Sequence, residues 1–194
     1  MIHRLLIPDA PQGLEIFVAR GSDPKRRGIA PEAMEALLET MLPDAKVTRR
    51  AHARPLVRGA GGNHVSVSHA PGVTALAVAP FPVGIDVESV DPNFDFSDID
   101  AEVFGARDFA FLRRQDQTVQ RAHFYRLWTL KEARLKRDGL TLVDTPLPDI
   151  LAGHDGERPL LEGPAGPDMA TRWLVQSGNR YCVAACWEPI KKAA

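Results

Sequence analysis

The sequence predicts an α+β protein made of two similar lobes, each a helix packed on a small antiparallel sheet. Three observations carry this. Two alternating segments around short turns, "HVSVSHAPGVTALAVAP" and "RWLVQSGNRYCVAACW", read as β-hairpins. Two segments with apolar residues at helical spacing precede them, one in each half. The order helix then hairpin thus occurs twice, which suggests a duplication of element order rather than of residue identity. A chain of 194 residues is long enough for two such lobes around a sizeable core.

In chain order, Leu14 to Ala19 ("LEIFVA") reads as the first strand, and "RGSDPKRRGIAP" as a basic loop. "PEAMEALLETML" reads as a helix, with Pro31 in its first turn, a stripe of Met34, Leu37, Leu38, Met41 and Leu42, and Pro43 as its stop. "VTRRAHARPLVRGAGGN" reads as irregular and basic. The first hairpin follows, then a strand, "FPVGIDVESV". "DPNFDFSDIDAEVFGARDFAFLRR" reads as loop and short helix. "TVQRAHFYRLWTLKEARLKRDG" is the strongest helical segment and closes at Gly139. The Pro/Gly-rich "TPLPDILAGHDGERPLLEGPAGPD" reads as a long loop with short strands before the second hairpin. The lobes divide as residues 1–80 and 81–194.

Composition narrows the function. The formal net charge is −1, with 44% hydrophobic and 25% charged residues. That balance gives no support for nucleic acid or an anionic membrane as a partner. No segment reads as a signal peptide or a bilayer span, so a cytoplasmic protein is expected. The two cysteines, Cys182 and Cys186, fall on one face of a strand, too far apart for an easy disulfide, and read as small core residues.

The chemistry concentrates in two places. In "VGIDVES", Val83, Ile85 and Val87 alternate with Gly84, Asp86 and Glu88. Period 2 puts Asp86 and Glu88 on one face, about 7 Å apart. One reading is a solvated strand face. The other is a site for a hard divalent cation, which takes carboxylate oxygens, waters and substrate phosphates. Gly84 leaves room for a ligand or a neighbouring backbone. In "WTLKEARLK", Glu132 and Lys136 share a helical face at i,i+4, with Lys131 on an adjacent one. They could form a surface ion pair. Glu132 also borders the apolar side of Tyr125, Trp128 and Leu135, so Asp86, Glu88 and Glu132 could converge on one cation, with Lys136 beside it.

"VGIDVE" followed by "LWTLKEARLK" resembles the paired signature of the 4'-phosphopantetheinyl transferase superfamily: G-[IV]-D, some forty residues, an aromatic residue, then K-E-A-x-x-K. From Asp86 to Trp128 is 42 positions. "VSVSHAPG" resembles the family's N-x-S-H-S segment, and "HARPLV" its G-[KR]-P. The resemblance runs from about Arg54 to Gly139. Chain length selects the Sfp-like type, two lobes forming a pseudo-dimer within a monomer, over the short trimeric holo-acyl-carrier-protein synthases.

The resemblance implies Mg²⁺-dependent transfer of 4'-phosphopantetheine from coenzyme A to a serine of an acyl or peptidyl carrier protein, with release of adenosine 3',5'-bisphosphate. It implies Asp86, Glu88 and Glu132 as ligands of Mg²⁺, or of Mn²⁺. Glu132 is then a possible base and Lys136 a stabiliser of the transferred phosphate. Arg54, Ser68, His69, Asp86, Lys131 and Lys136 would border coenzyme A, and Lys25, Arg26 and Arg27 would clamp its phosphates. Arg113 and Arg114, in "ARDFAFLRR" between the two motifs, would face the carrier, against the reading of that segment as an ordinary amphipathic helix. Ala70 departs from the second serine of S-H-S, and the expected Asn before Val-Ser-His is missing. Two other readings stay open: a Mg²⁺-dependent phosphodiester hydrolase, and a non-catalytic relative that binds coenzyme A or a carrier.

Overall fold

The computed structural model describes residues 2–7, 10–20, 37–38, 41–42, 46–48, 56–58, 61–99, 101–141, 149–150, 163–166, 168–176 and 178–188. Ten strands are described: β1 (Ile2–Arg4), β2 (Glu15–Arg20), β3 (Lys46–Thr48), β4 (Leu56–Arg58), β5 (His64–Ala70), β6 (Val73–Ala79), β7 (Val83–Ser89), β8 (Gly163–Gly166), β9 (Met169–Gln176) and β10 (Asn179–Trp187). A single 3₁₀ turn (Phe96–Asp98) leads to α1 (Ala101–Phe104), α2 (Ala106–Arg113) and α3 (Gln117–Arg137). The strands form two antiparallel sheets, ordered β1-β2-β6-β5 and β7-β10-β9-β8, with β3 and β4 as a separate hairpin. This is the α+β, two-sheet architecture expected, and the chain passes from one sheet to the other between β6 and β7.

Alternation sorts the side chains into layers. Val83, Ile85 and Val87 of β7 join Val183 and Ala185 of β10 and Val73, Ala75 and Ala77 of β6 in a core between the sheets. The opposite face of the second sheet, with Cys182, Ala184 and Cys186, packs on Phe124, Leu127 and Leu130 of α3 and on Phe104 and Leu112. On the first sheet, Leu76 and Val78 pack on Leu37, Leu38 and Leu42. Leu37, Leu38 and Met41 are helical, within the first expected helix; its other residues lie outside the described set.

Three expectations change. The segment read as irregular contains the β3–β4 hairpin, each strand three residues long. Strands so short show no alternation to read. β1 was also missed; all three of its residues are exposed, so it too has no burial pattern. It pairs at the sheet edge with β2 from Ile2 opposite Ala19. The first expected strand is shifted by one residue, to Glu15–Arg20.

Burial pushes both thiols up to about 12, so Cys182 and Cys186 are inert core residues at neutral pH. Among the described residues no helix is long and apolar enough to cross a membrane.

Candidate active site at the seam between the sheets

β5 and β7 are the facing edges of the two sheets, and an edge strand carries backbone groups that need partners. Ser66 of β5 supplies one, and Ser68 holds a side chain of the same edge. The Ile85 N–H donates to Ser66 Oγ at 3.0 Å. Two residues on, the Ser68 hydroxyl donates to Asp86 Oδ1 at 2.6 Å. The "VSVS" alternation thus turns both hydroxyls toward β7.

α3 completes the site from the other side. Its backbone crosses β7 at Gly84: a Cβ built there would lie 1.9 Å from the Ala133 carbonyl oxygen and 2.4 Å from the Arg137 nitrogen. Of the two uses the sequence left open for Gly84, the structure shows the close approach of a neighbouring backbone. Seated this way, α3 brings the Lys136 ammonium to Asp86 Oδ1 at 2.6 Å and to Ser68 Oγ at 2.9 Å. Arg137 fastens the end of the helix. Its guanidinium donates to Asp168 Oδ2 at 3.0 Å, to the Trp187 carbonyl at 3.2 Å and to Asp138 Oδ1 at 2.7 Å.

Asp86 is the centre of this arrangement. The residue is 2% exposed, and its Oδ2 is buried with no hydrogen-bond partner among the described residues. A buried carboxylate oxygen left unpaired is costly, and a cation would satisfy it. Glu88 lies on the same strand face, opposite Cys182 as Asp86 is opposite Ala184. Glu132 is half-buried on α3, one turn before Lys136. Among the described residues no three acidic, histidine or cysteine side chains already form a closed metal cage. Mg²⁺ does not need one, because it keeps waters and takes phosphate oxygens beside one or two carboxylates. The oxygen donors and the unpaired Oδ2 fit such an ion.

The other expected site residues are spread out. His69 is half-buried near the end of β5, with Nδ1 3.0 Å from Thr74 Oγ1 across the hairpin. Ser68 is 5% exposed, its hydroxyl shared between Asp86 and Lys136. Arg113 and Arg114, at the end of α2, are exposed. Arg54, Lys25, Arg26 and Arg27 lie outside the described residues.

Lys131 requires a correction. Its side chain is 0% exposed and forms an ion pair with Asp108 at 2.5 Å, with the ammonium 4.8 Å from the centre of the Phe104 ring. Burial pulls the lysine pKa down and Asp108 pushes it back up. Asp108 also accepts the Ile150 N–H at 2.8 Å. Lys131 therefore ties α3 to α1, α2 and the 149–150 segment, with its ammonium withdrawn from solvent. Sequence reasoning missed Asp108, Ser66 and Arg137 as supports of the site. The partners that make them supports, Ile85 for Ser66, Lys131 for Asp108, and Asp168 and Trp187 for Arg137, are 19 to 50 positions away, beyond any local pattern.

A family model described as the 4'-phosphopantetheinyl transferase superfamily matches residues 82–186, which span β7, α3 and β10. The chain belongs to that superfamily. Curated transferases of the superfamily are similar to it. The 4'-phosphopantetheinyl transferase psf-1 of Bacillus pumilus is 36% identical over 86 residues, 44% of this chain and 36% of the relative. A 4'-phosphopantetheinyl transferase of Bacillus subtilis is 28% identical over 136 residues, 70% of this chain and 59% of the relative. The 4'-phosphopantetheinyl transferase AcpT of Salmonella typhimurium is 28% identical over 153 residues, 76% of this chain and 74% of the relative. The chain thus spans between about a third and three-fifths of the length of the first two relatives. For a member of the transferase superfamily, Asp86 and Lys136 in contact at 2.6 Å join the two signature motifs across 50 positions of sequence.

Proposed function

We propose that the protein transfers 4'-phosphopantetheine from coenzyme A to a serine of an acyl or peptidyl carrier protein. The observation that carries this reading is Asp86: a buried carboxylate, one oxygen unpaired, the other held by Ser68 and Lys136 at the seam between the lobes.

In the proposed reaction the carrier serine oxygen attacks the phosphorus next to the pantetheine. The bond from that phosphorus to the bridging oxygen breaks, and adenosine 3',5'-bisphosphate leaves with the electron pair. Asp86, Glu88 and Glu132 would hold Mg²⁺ (or Mn²⁺), which supplies charge neutralisation on the transferred and leaving phosphates. Lys136 adds a second positive charge, and its flexible stem lets the ammonium turn from Asp86 to a phosphate oxygen. The serine proton needs an acceptor, and Glu132 is the carboxylate on α3 assigned to it. Ser68 fixes Asp86 with its hydroxyl proton. His69, Arg54 and the Lys25–Arg27 run are assigned to the nucleotide end of coenzyme A. Arg113 and Arg114, charged and exposed, are assigned to the carrier.

Incubation of the protein with an apo carrier protein, coenzyme A and Mg²⁺, read by mass spectrometry, tests the proposal. The expected result is one added phosphopantetheine, absent when the carrier serine is alanine. Release of adenosine bisphosphate without a mass gain on the carrier would favour hydrolysis instead. Binding of coenzyme A with no product would favour a non-catalytic relative.

A further inference from the structure

A pocket of about 330 Å³ opens between the first turns of α3 and the β9–β10 hairpin. Thr118 and Arg121 line it from α3, Trp173 from β9, Asn179 and Arg180 from β10, and Val90 closes the side toward β7. The Val90 N–H donates to the Arg180 carbonyl at 2.8 Å, so the pocket begins two residues beyond Glu88. That is about 7 Å along the strand.

Its charge is one-sided. No carboxylate lines the pocket, and neither Arg121 nor Arg180 takes part in an ion pair among the described residues. Asp91, next to Val90, directs its Oδ1 to the Asn93 N–H at 2.8 Å. The Arg180 guanidinium lies over the Trp173 ring, 4.3 Å from its centre. Stacking uses the face of the guanidinium and leaves its in-plane donors for an anion. Arg121 Nε is buried and has no hydrogen-bond partner among the described residues. Solvated surface arginines do not strand a donor away from water, and such a group calls for a missing acceptor.

We propose that this pocket binds a carboxylate or phosphate group, either a small anion or the anionic end of a larger molecule. Arg121 and Arg180 supply the charge, and the Thr118 hydroxyl and Asn179 amide supply further donors. The site does not depend on the transferase reading, and its test needs no turnover.

The test follows the three tryptophan indole N–H signals by NMR, with Trp173 assigned through Trp173→Phe. Inorganic phosphate, then malonate, is titrated at ionic strength held constant with sodium chloride. The expected result is a saturable shift of the Trp173 signal, with Trp128 and Trp187 unmoved. Arg121→Gln with Arg180→Gln should weaken the midpoint about tenfold, as expected when charged hydrogen-bond donors are removed. Arg180→Gln alone, at an exposed position, should weaken it about threefold and guards against misfolding of the double variant. Saturating coenzyme A separates the sources. Displacement of phosphate assigns the site to a phosphate of the co-substrate, and retention assigns it to another anion. A shift that chloride reproduces, one that never saturates, or one that persists unchanged in both variants overturns the proposal.

Discussion

Gly84→Ala is the smallest change that separates the seating of α3 from the chemistry beside it. The added methyl would fall 1.9 Å from the Ala133 carbonyl oxygen, where ordinary contact begins at 3.4 Å. Both close neighbours are helix backbone, so no side chain can swing aside. The helix or the strand must give by about 1.5 Å, the difference between those distances. Overpacking of this kind costs about 1–3 kcal/mol. The displacement also falls on the site. Lys136 stands three residues past Ala133, and its 2.6 Å contact with Asp86 cannot survive a shift of that size without a new side-chain geometry. Misplacement by about 1 Å can cost about 100-fold in rate.

The measurements are urea unfolding midpoints and the initial rate of carrier modification, with far-UV circular dichroism to show that the fold persists. The expected variant is folded, less stable by a few kcal/mol at most, and slower by about two orders of magnitude. Lost stability with an unchanged rate would separate the seating of α3 from the site. A variant with both values at the wild-type level would show that α3 does not rest on Gly84.

Asp86→Asn should abolish transfer and also remove the rise in melting temperature that Mg²⁺ gives the wild type through linkage; an unchanged metal-dependent shift would place the cation elsewhere. Lys131→Met strands Asp108 in the core and should cost about 3–5 kcal/mol in urea unfolding, with KM for coenzyme A unchanged in the folded fraction. A rise in KM at wild-type stability would return Lys131 to the phosphates. His123 is 3% exposed, its Nε2 has no hydrogen-bond partner among the described residues, and burial, followed by nearby Arg126, lowers its pKa below 6.5. The unfolded chain therefore takes up the proton first. The contribution of neutral His123 is complete above pH 6.5 and is lost as pH falls toward its lower folded pKa. His123→Leu should flatten urea midpoints measured from pH 6.5 down to about 5, and an equally steep profile would assign the acid sensitivity to other groups. Arg113→Glu with Arg114→Glu should raise KM for the carrier and weaken its salt dependence, leaving KM for coenzyme A unchanged; a carrier KM at the wild-type value would move docking off α2.

The parts of this protein that were readable in sequence are those whose pattern is local. β7 shows period 2 within seven residues, and α3 runs 21 residues to Arg137, closed by Gly139 at φ +76°. What escaped depends on contacts made across the chain. Lys131 sits in a motif rich in charge, and nothing within a helical turn announces that Phe104 and Asp108 will enclose it. Ser66 and Ser68 read as polar positions on an alternating strand. Their work is to satisfy the edge of a different sheet, 18 and 19 positions further along. That long-range closure also says what the site requires. Ser68 comes from the first sheet, Asp86 from the second, and Lys136 from the helix behind the second. The two Ser68 contacts, 2.6 Å to Asp86 and 2.9 Å to Lys136, exist only where the two sheets meet. A lobe folded alone would leave Asp86 without Ser68 and the Ile85 N–H without Ser66. The meeting of the two sheets and the placement of Asp86 at their seam are therefore one structural requirement, and a mutation that loosens the seam at Ser66 should disturb Asp86 before it disturbs either core.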